Sequence, residues 1–116
     1  MNKTLNICVI GLEYVGLPLA RLFSEKYNTI GYDISKKRID ELMAGYDSTC
    51  EISGEQLQKA LSKGFRCTSS IDDIRNCNFY IVAVPTPVDM DNRPDLTPLI
   101  NASKMIGEII SEGDIV

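Results

Sequence analysis

An α/β domain with a doubly wound, mostly parallel sheet is predicted by three features of this sequence. Residues 5–10 (LNICVI) form a short apolar run that stops at a glycine and gives way to a helical pattern. Strand-like and helix-like stretches then alternate along the chain. Finally, residues 79–84 (FYIVAV) are continuously apolar, as in a central parallel strand covered on both faces.

The elements follow in order. After the strand at 5–10, Gly11 makes a tight turn and a helix starts near Val15, with Val15, Leu19, Leu22 and Phe23 on its apolar face and Arg21 and Glu25 outside. Residues 29–32 read as a second strand ending at Asp33. Ser35 is a good N-cap for a helix carrying Ile39, Leu42 and Met43, which Gly45 stops. Ser53 followed by Gln56 forms a capping-box pattern, and Leu57, Ala60 and Leu61 stripe a third helix ended by Gly64. A short strand at 65–68 precedes the run at 79–84. Prolines punctuate the loop 85–95, and Thr97 with Pro98 opens a last helix bearing Leu99, Ala102, Ile106 and Ile109/Ile110. Gly113 breaks it, and residues 114–116 resemble the start of another strand. The chain is therefore expected to be part of a longer one.

Composition narrows the functional classes. With 116 residues, one domain is expected. A net charge of −4 and the absence of a lysine-rich stripe argue against nucleic acid, and no apolar run is long enough to cross a bilayer. With no histidine in the sequence, Ser-His-Asp and Cys-His nucleophile pairs and His-containing zinc sites are excluded within these residues. Cys8, Cys50, Cys67 and Cys77 lack CxxC spacing and no signal-peptide pattern precedes them, so they read as free thiols of a cytoplasmic protein, Cys8 as a core residue.

The chemistry concentrates in residues 11–16 (GLEYVG), set between the first strand and first helix, with Asp33 following Gly11 by 22 residues. This is the Rossmann-type dinucleotide fingerprint. Backbone N–H groups and the helix N-terminus face a pyrophosphate, Gly16 lets helix pack on strand, and Asp33 accepts hydrogen bonds from ribose hydroxyls. A carboxylate there repels a 2′-phosphate, favouring NAD over NADP. Lys36 and Lys37 read as a solvated first turn, whereas Arg38 is placed to stack on adenine. Glu13 occupies the position of the fingerprint's second glycine; its carboxylate either intrudes on the phosphate site or turns to water. Thr86, between Pro85 and Pro87, stands just past the run 79–84, at the sheet edge where such folds bind ligand.

The stretches 11–20 (GLEYVGLPLA), 31–51 (GYDISKKRIDELMAGYDSTCE), 80–87 (YIVAVPTP) and 93–100 (RPDLTPLI) resemble the nucleotide-sugar 6-dehydrogenases, the family of UDP-glucose and GDP-mannose dehydrogenases. Of these, 31–51, 80–87 and 93–100 are similar to the subgroup that oxidises UDP-N-acetylhexosamines for capsule and O-antigen synthesis, the Vi-antigen type. The resemblance implies a cytoplasmic bacterial enzyme, homo-oligomeric at full length, that oxidises C6 of a UDP-sugar to the carboxylate with two NAD. It implies NAD contacts at Val15, Asp33, Arg38 and Thr86; taken with the fingerprint, the residues expected to bind the cofactor are Gly11, Tyr14, Val15, Gly16, Asp33, Arg38, Val84, Pro85 and Thr86. The family's nucleophilic cysteine, its catalytic lysine and asparagine, and its UDP-sugar domain belong to segments beyond residue 116. No catalytic residue is therefore expected here, and these residues should bind without reacting. A noncatalytic nucleotide-sensing Rossmann module is the alternative, and a methyltransferase using S-adenosylmethionine is a weaker third reading. What the gene encodes after Val116 separates the first two.

Overall fold

The computed structural model describes residues 4–116. Its element order is β1 (Asn6–Ile10), α1 (Gly16–Ser24), β2 (Asn28–Tyr32), α2 (Lys36–Met43), α3 (Gly54–Ser62), β3 (Arg66–Thr68), a 3-10 turn (Ile71–Ile74), β4 (Phe79–Val82) and α4 (Thr97–Ile109). The four strands form one parallel sheet in the order β3-β2-β1-β4. Chain direction across the sheet therefore reverses between β1 and β4, and the carboxyl ends of the strands diverge there into a crevice.

Two cores flank the sheet. Leu12, Leu17, Ala20, Ile39, Leu42 and Leu57 are buried in one of them with Ile7 and Val9 of β1. On the other face Cys8 and Ile10 meet Tyr80, Ile106 and Ile109. Alternation along β1 thus feeds both cores, as a central parallel strand requires. Ile115 pairs in parallel with Phe79, so the strand expected at 114–116 has begun beside β4.

Several expectations shift in detail. The buried face of α1 is Gly16, Leu17 and Ala20, while Val15 is its N-cap at 67% exposure and Leu22 is also outside. The cause is Gly16: a Cβ there would lie 1.6 Å from the Gly11 carbonyl oxygen, so this residue must face inward and sets the rotation of the helix. Arg21 bonds Glu25 across one turn as expected of an outer face (3.2 Å). Met43 turns out to solvent at the end of α2. Thr97 is the first residue of α4 rather than its cap; its N–H donates to Asp95 Oδ1 (2.9 Å), so an aspartate serves that end. The capping box at Ser53 and Gln56 forms in both directions. β4 is shorter than its apolar run, and Phe79, Ile81 and Val82 are half-buried rather than fully covered.

The link from β3 to β4 carries no α-helix. Its 3-10 turn is fastened by the buried Tyr80 hydroxyl, whose one proton is shared between the carbonyls of Ile74 (2.9 Å) and Cys77 (3.0 Å). The loop 85–95 doubles back on itself through a Val88–Pro94 antiparallel bridge. Asp89 Oδ1 accepts from the N–H groups of Asp91 and Arg93 (both 2.9 Å) and closes its tip.

Candidate dinucleotide site

The turn after β1 is built from contacts that only small residues permit. Gly11 has φ +98°, and a Cβ on it would meet the Ala83 carbonyl oxygen at 2.7 Å, so the turn nests against the end of β4. Gly16 lies against Gly11's own carbonyl, closing the turn on itself. Its glycine thus serves the closure of the turn itself rather than the packing of helix on strand alone.

Asp33 ends β2 and holds the turn from the side. Its Oδ2 accepts from the Leu12 N–H and its Oδ1 from the Ser35 N–H, both at 2.9 Å. A carboxylate offers about four acceptor sites, so two remain for a ligand. The carboxylate is half-buried and lines a crevice of about 550 Å³ at the carboxyl ends of β1, β2 and β4. Thr97, Asn101 and Met105 of α4 line the same crevice.

Gly11, Asp33, Val84 and Pro85 line this crevice together. Tyr14 and Val15 are exposed at 62% and 67%, beside the uncapped N-terminus of α1, and Thr86 is exposed in the loop after β4. Arg38 points elsewhere. It is 7% exposed, its Nε donates to the Leu12 carbonyl (2.8 Å), and its Nη2 lies 2.9 Å from Asp47 Oδ1. The guanidinium offered by the sequence for adenine stacking is therefore turned inward against the glycine-rich turn. Lys36 and Lys37 are exposed, as a solvated turn should be. Glu13 lines the crevice with an exposed side chain, which meets both readings halfway: it faces the site and remains in water.

Sequence reasoning missed Ile34 and Asp95. Ile34 is 82% exposed beside Asp33 and gives the crevice an apolar wall, where an isolated exposed isoleucine in a polar stretch was the available signal. Asp95 adds a third carboxylate to those of Glu13 and Asp33, and among the described residues no lysine or arginine lines the crevice. A carboxylate at the ribose disfavours a 2′-phosphate there. The thiols stay outside the site: Cys8, Cys67 and Cys77 are buried, and burial pushes Cys67 up to about 12. Cys8 is raised too, by its hydrogen-bonded neighbour Cys77 and then by burial. Among the described residues no cluster could hold a metal ion.

A glycine-rich turn, an acid closing the second strand and a crevice at the sheet's reversal point define a dinucleotide-binding α/β domain. Residues 5–116 match the NAD binding domain of the UDP-glucose/GDP-mannose dehydrogenase family. The chain belongs to that family, and its cofactor is NAD. It is 47% identical over 114 residues to UDP-N-acetyl-D-glucosamine 6-dehydrogenase of Pseudomonas aeruginosa, covering 98% of this chain and 26% of that protein. It is 48% identical over 110 residues to the Salmonella typhi protein of the same name, covering 95% and 25%. Among solved structures, the UDP-N-acetylmannosamine dehydrogenase of Pyrococcus horikoshii superposes with TM-score 0.88 at 33% identity, over 96% of this chain and 27% of that one. The chain thus spans about a quarter of the length of these relatives.

Proposed function

We propose that this chain is the cofactor-holding part of an enzyme that oxidises C6 of a UDP-N-acetylhexosamine to the carboxylate in polysaccharide biosynthesis. The observation that carries the cofactor half is Asp33, whose carboxylate fixes the turn through two amides and still presents acceptor sites to the crevice. Asp33 takes the adenosine ribose hydroxyls, the backbone of Gly11 to Gly16 takes the pyrophosphate, and Val84, Pro85 and Thr86 border the crevice beyond β4. Bound NAD supplies a hydride acceptor; two are consumed per sugar, because alcohol to carboxylate is a four-electron oxidation that also takes up one water. The sugar half rests on the relatives named UDP-N-acetyl-D-glucosamine 6-dehydrogenase.

In this reading the nucleophile and the UDP-sugar pocket lie outside these 116 residues, and the full-length enzyme is a cytoplasmic homo-oligomer. No helix among the described residues is long and apolar enough to cross a membrane. The full-length protein is expected to form two NADH per UDP-N-acetylglucosamine or UDP-N-acetylgalactosamine, followed by absorbance, while residues 1–116 alone form none. Turnover by the 116 residues alone, or none by the full-length protein with either sugar, would overturn the proposal.

A further inference from the structure

Leu12 is held at both ends of its residue by side chains. Its N–H donates to Asp33 (2.9 Å) and its carbonyl accepts from Arg38 Nε (2.8 Å). Its side chain is fully buried and presses on Gly31, where an added Cβ would meet the Leu12 δ carbons at 2.7 Å. The three residues that follow, Glu13, Tyr14 and Val15, are all exposed. Their backbone direction is therefore set from Leu12 on one side and from Gly16 on the other.

Arg38 can act as a rigid clamp only if its own charge is held. A guanidinium buried this far is costly unless paired, and the partner is Asp47, whose side chain is 0% exposed and lies 2.9 Å from Nη2. Glu41 is 3.5 Å from Nη1, an ion-pair distance too long for a hydrogen bond. Asp47 is itself immobilised. It accepts from the Thr49 N–H (3.0 Å), the Thr49 hydroxyl (2.6 Å), the Glu51 N–H (2.9 Å) and the Ile52 N–H (3.1 Å). The loop between α2 and α3 is thus wrapped around one carboxylate. That carboxylate aims Arg38 at the glycine-rich turn.

We propose that Asp47 is a positioning residue for the NAD site, acting through Arg38 and the Leu12 carbonyl to fix the orientation of the glycine-rich turn. The proposal rests on that turn holding the cofactor. Without the Asp47 charge the guanidinium keeps only the more distant, partly exposed Glu41, swings towards it and water, and releases the Leu12 carbonyl. The turn then has to be ordered by the cofactor itself, and part of the binding free energy is lost to that ordering.

Calorimetric titration of the full-length enzyme with NAD tests this on Asp47→Asn, Arg38→Lys, the double variant and Ser53→Ala. Arg38→Lys keeps a cation near Asp47 but has no donor in place of Nε, and it stands as the test should Asp47→Asn not fold. Each single variant is expected to weaken NAD by about tenfold or more, as for loss of one charge-assisted hydrogen bond, with the KM for the UDP-sugar unchanged. The double variant should be no weaker than the worse single, because both act on one path. Ser53→Ala removes a helix cap, lowers stability and should leave NAD affinity alone. Unchanged NAD affinity in either single variant, or additive losses in the double, would overturn the role of Asp47. Failure of the unsubstituted enzyme to bind NAD would instead overturn the cofactor reading.

Discussion

Asp33 serves two masters at the level of single atoms, and its replacement separates them. Asp33→Ala removes the acceptor of the Leu12 and Ser35 amides and the group assigned to the ribose. Calorimetry should find NAD weaker by about 1.5–3 kcal/mol per charge-assisted bond lost, and melting should find the apo protein less stable by about 1–3 kcal/mol. Glu13→Gly should act with opposite signs. The exposed carboxylate at the crevice repels a phosphate about 4 Å away by roughly 1 kcal/mol when solvated, so NAD should tighten by about that much, and less at high salt. Glu13 is absent from the residues with positive φ, so glycine there gains only unfolded-state freedom and should cost roughly 0.4–1 kcal/mol of stability. At this scale the sequence was informative where backbone chemistry dictates the residue type. Gly11, Gly16 and Asp33 were legible because a tight turn, a close approach and an acid at a strand end leave few alternatives. The inward Arg38 was not legible: its place one helical turn past Asp33 suggested adenine stacking, and only its buried partner turns it inward. That partner, Asp47, sits in a loop with no periodicity to announce it.

Helices and strands show the same division. α3 was readable to the residue at its start because the capping box is a local device, with Ser53 and Gln56 each bonding the other's backbone. Ser53→Ala should lower stability by about 1 kcal/mol in a thermal melt. The rotation of α1 was not readable from its apolar residues, since Val15, Leu19, Leu22 and Phe23 keep helical spacing while two of them face outward. Its rotation is set by Gly16 against the Gly11 carbonyl, a contact between backbones that leaves no hydrophobic trace. Gly16→Ala should therefore open the turn: a Cβ 1.6 Å from a backbone oxygen cannot be relieved by a side-chain shift. The expected result is loss of NAD binding together with a lower melting temperature, whereas Gly107→Ala, with nothing within 4 Å of its Cβ, should raise helicity slightly.

Taken whole, the molecule gains acid sensitivity from the loop around Asp47. Burial pushes that carboxyl up, but hydrogen bonds from Thr49, Ile52 and Arg38 outweigh burial and hold it below the usual range. A depressed carboxyl contributes its full stability above the unfolded value near 3.9 and loses it as pH falls through the folded value. Denaturation followed below about pH 4 should show that slope, and Asp47→Asn should flatten it. The alternation of strands and helices made the parallel sheet legible, but the strand order was not, because nothing local in residues 69–78 says that the chain crosses back over the sheet without a helix.

The register of β1 also governs the time course of folding. Ile7 pairs with Thr29 on one side and with Phe79 on the other, so the central strand finds its second neighbour only after a stretch more than three times longer has been synthesised and closed. Closing longer loops costs more entropy, and non-local parallel pairing slows the search. The β1-α1-β2 unit should consequently form early and β4 should dock late. In a kinetic comparison, Ile30→Val should slow refolding, whereas Tyr80→Phe, which cuts the hydroxyl from the Ile74 and Cys77 carbonyls, should act chiefly by speeding unfolding. A nascent chain would then carry its glycine-rich turn, already closed by Gly16 and Asp33, before the far wall of the crevice exists.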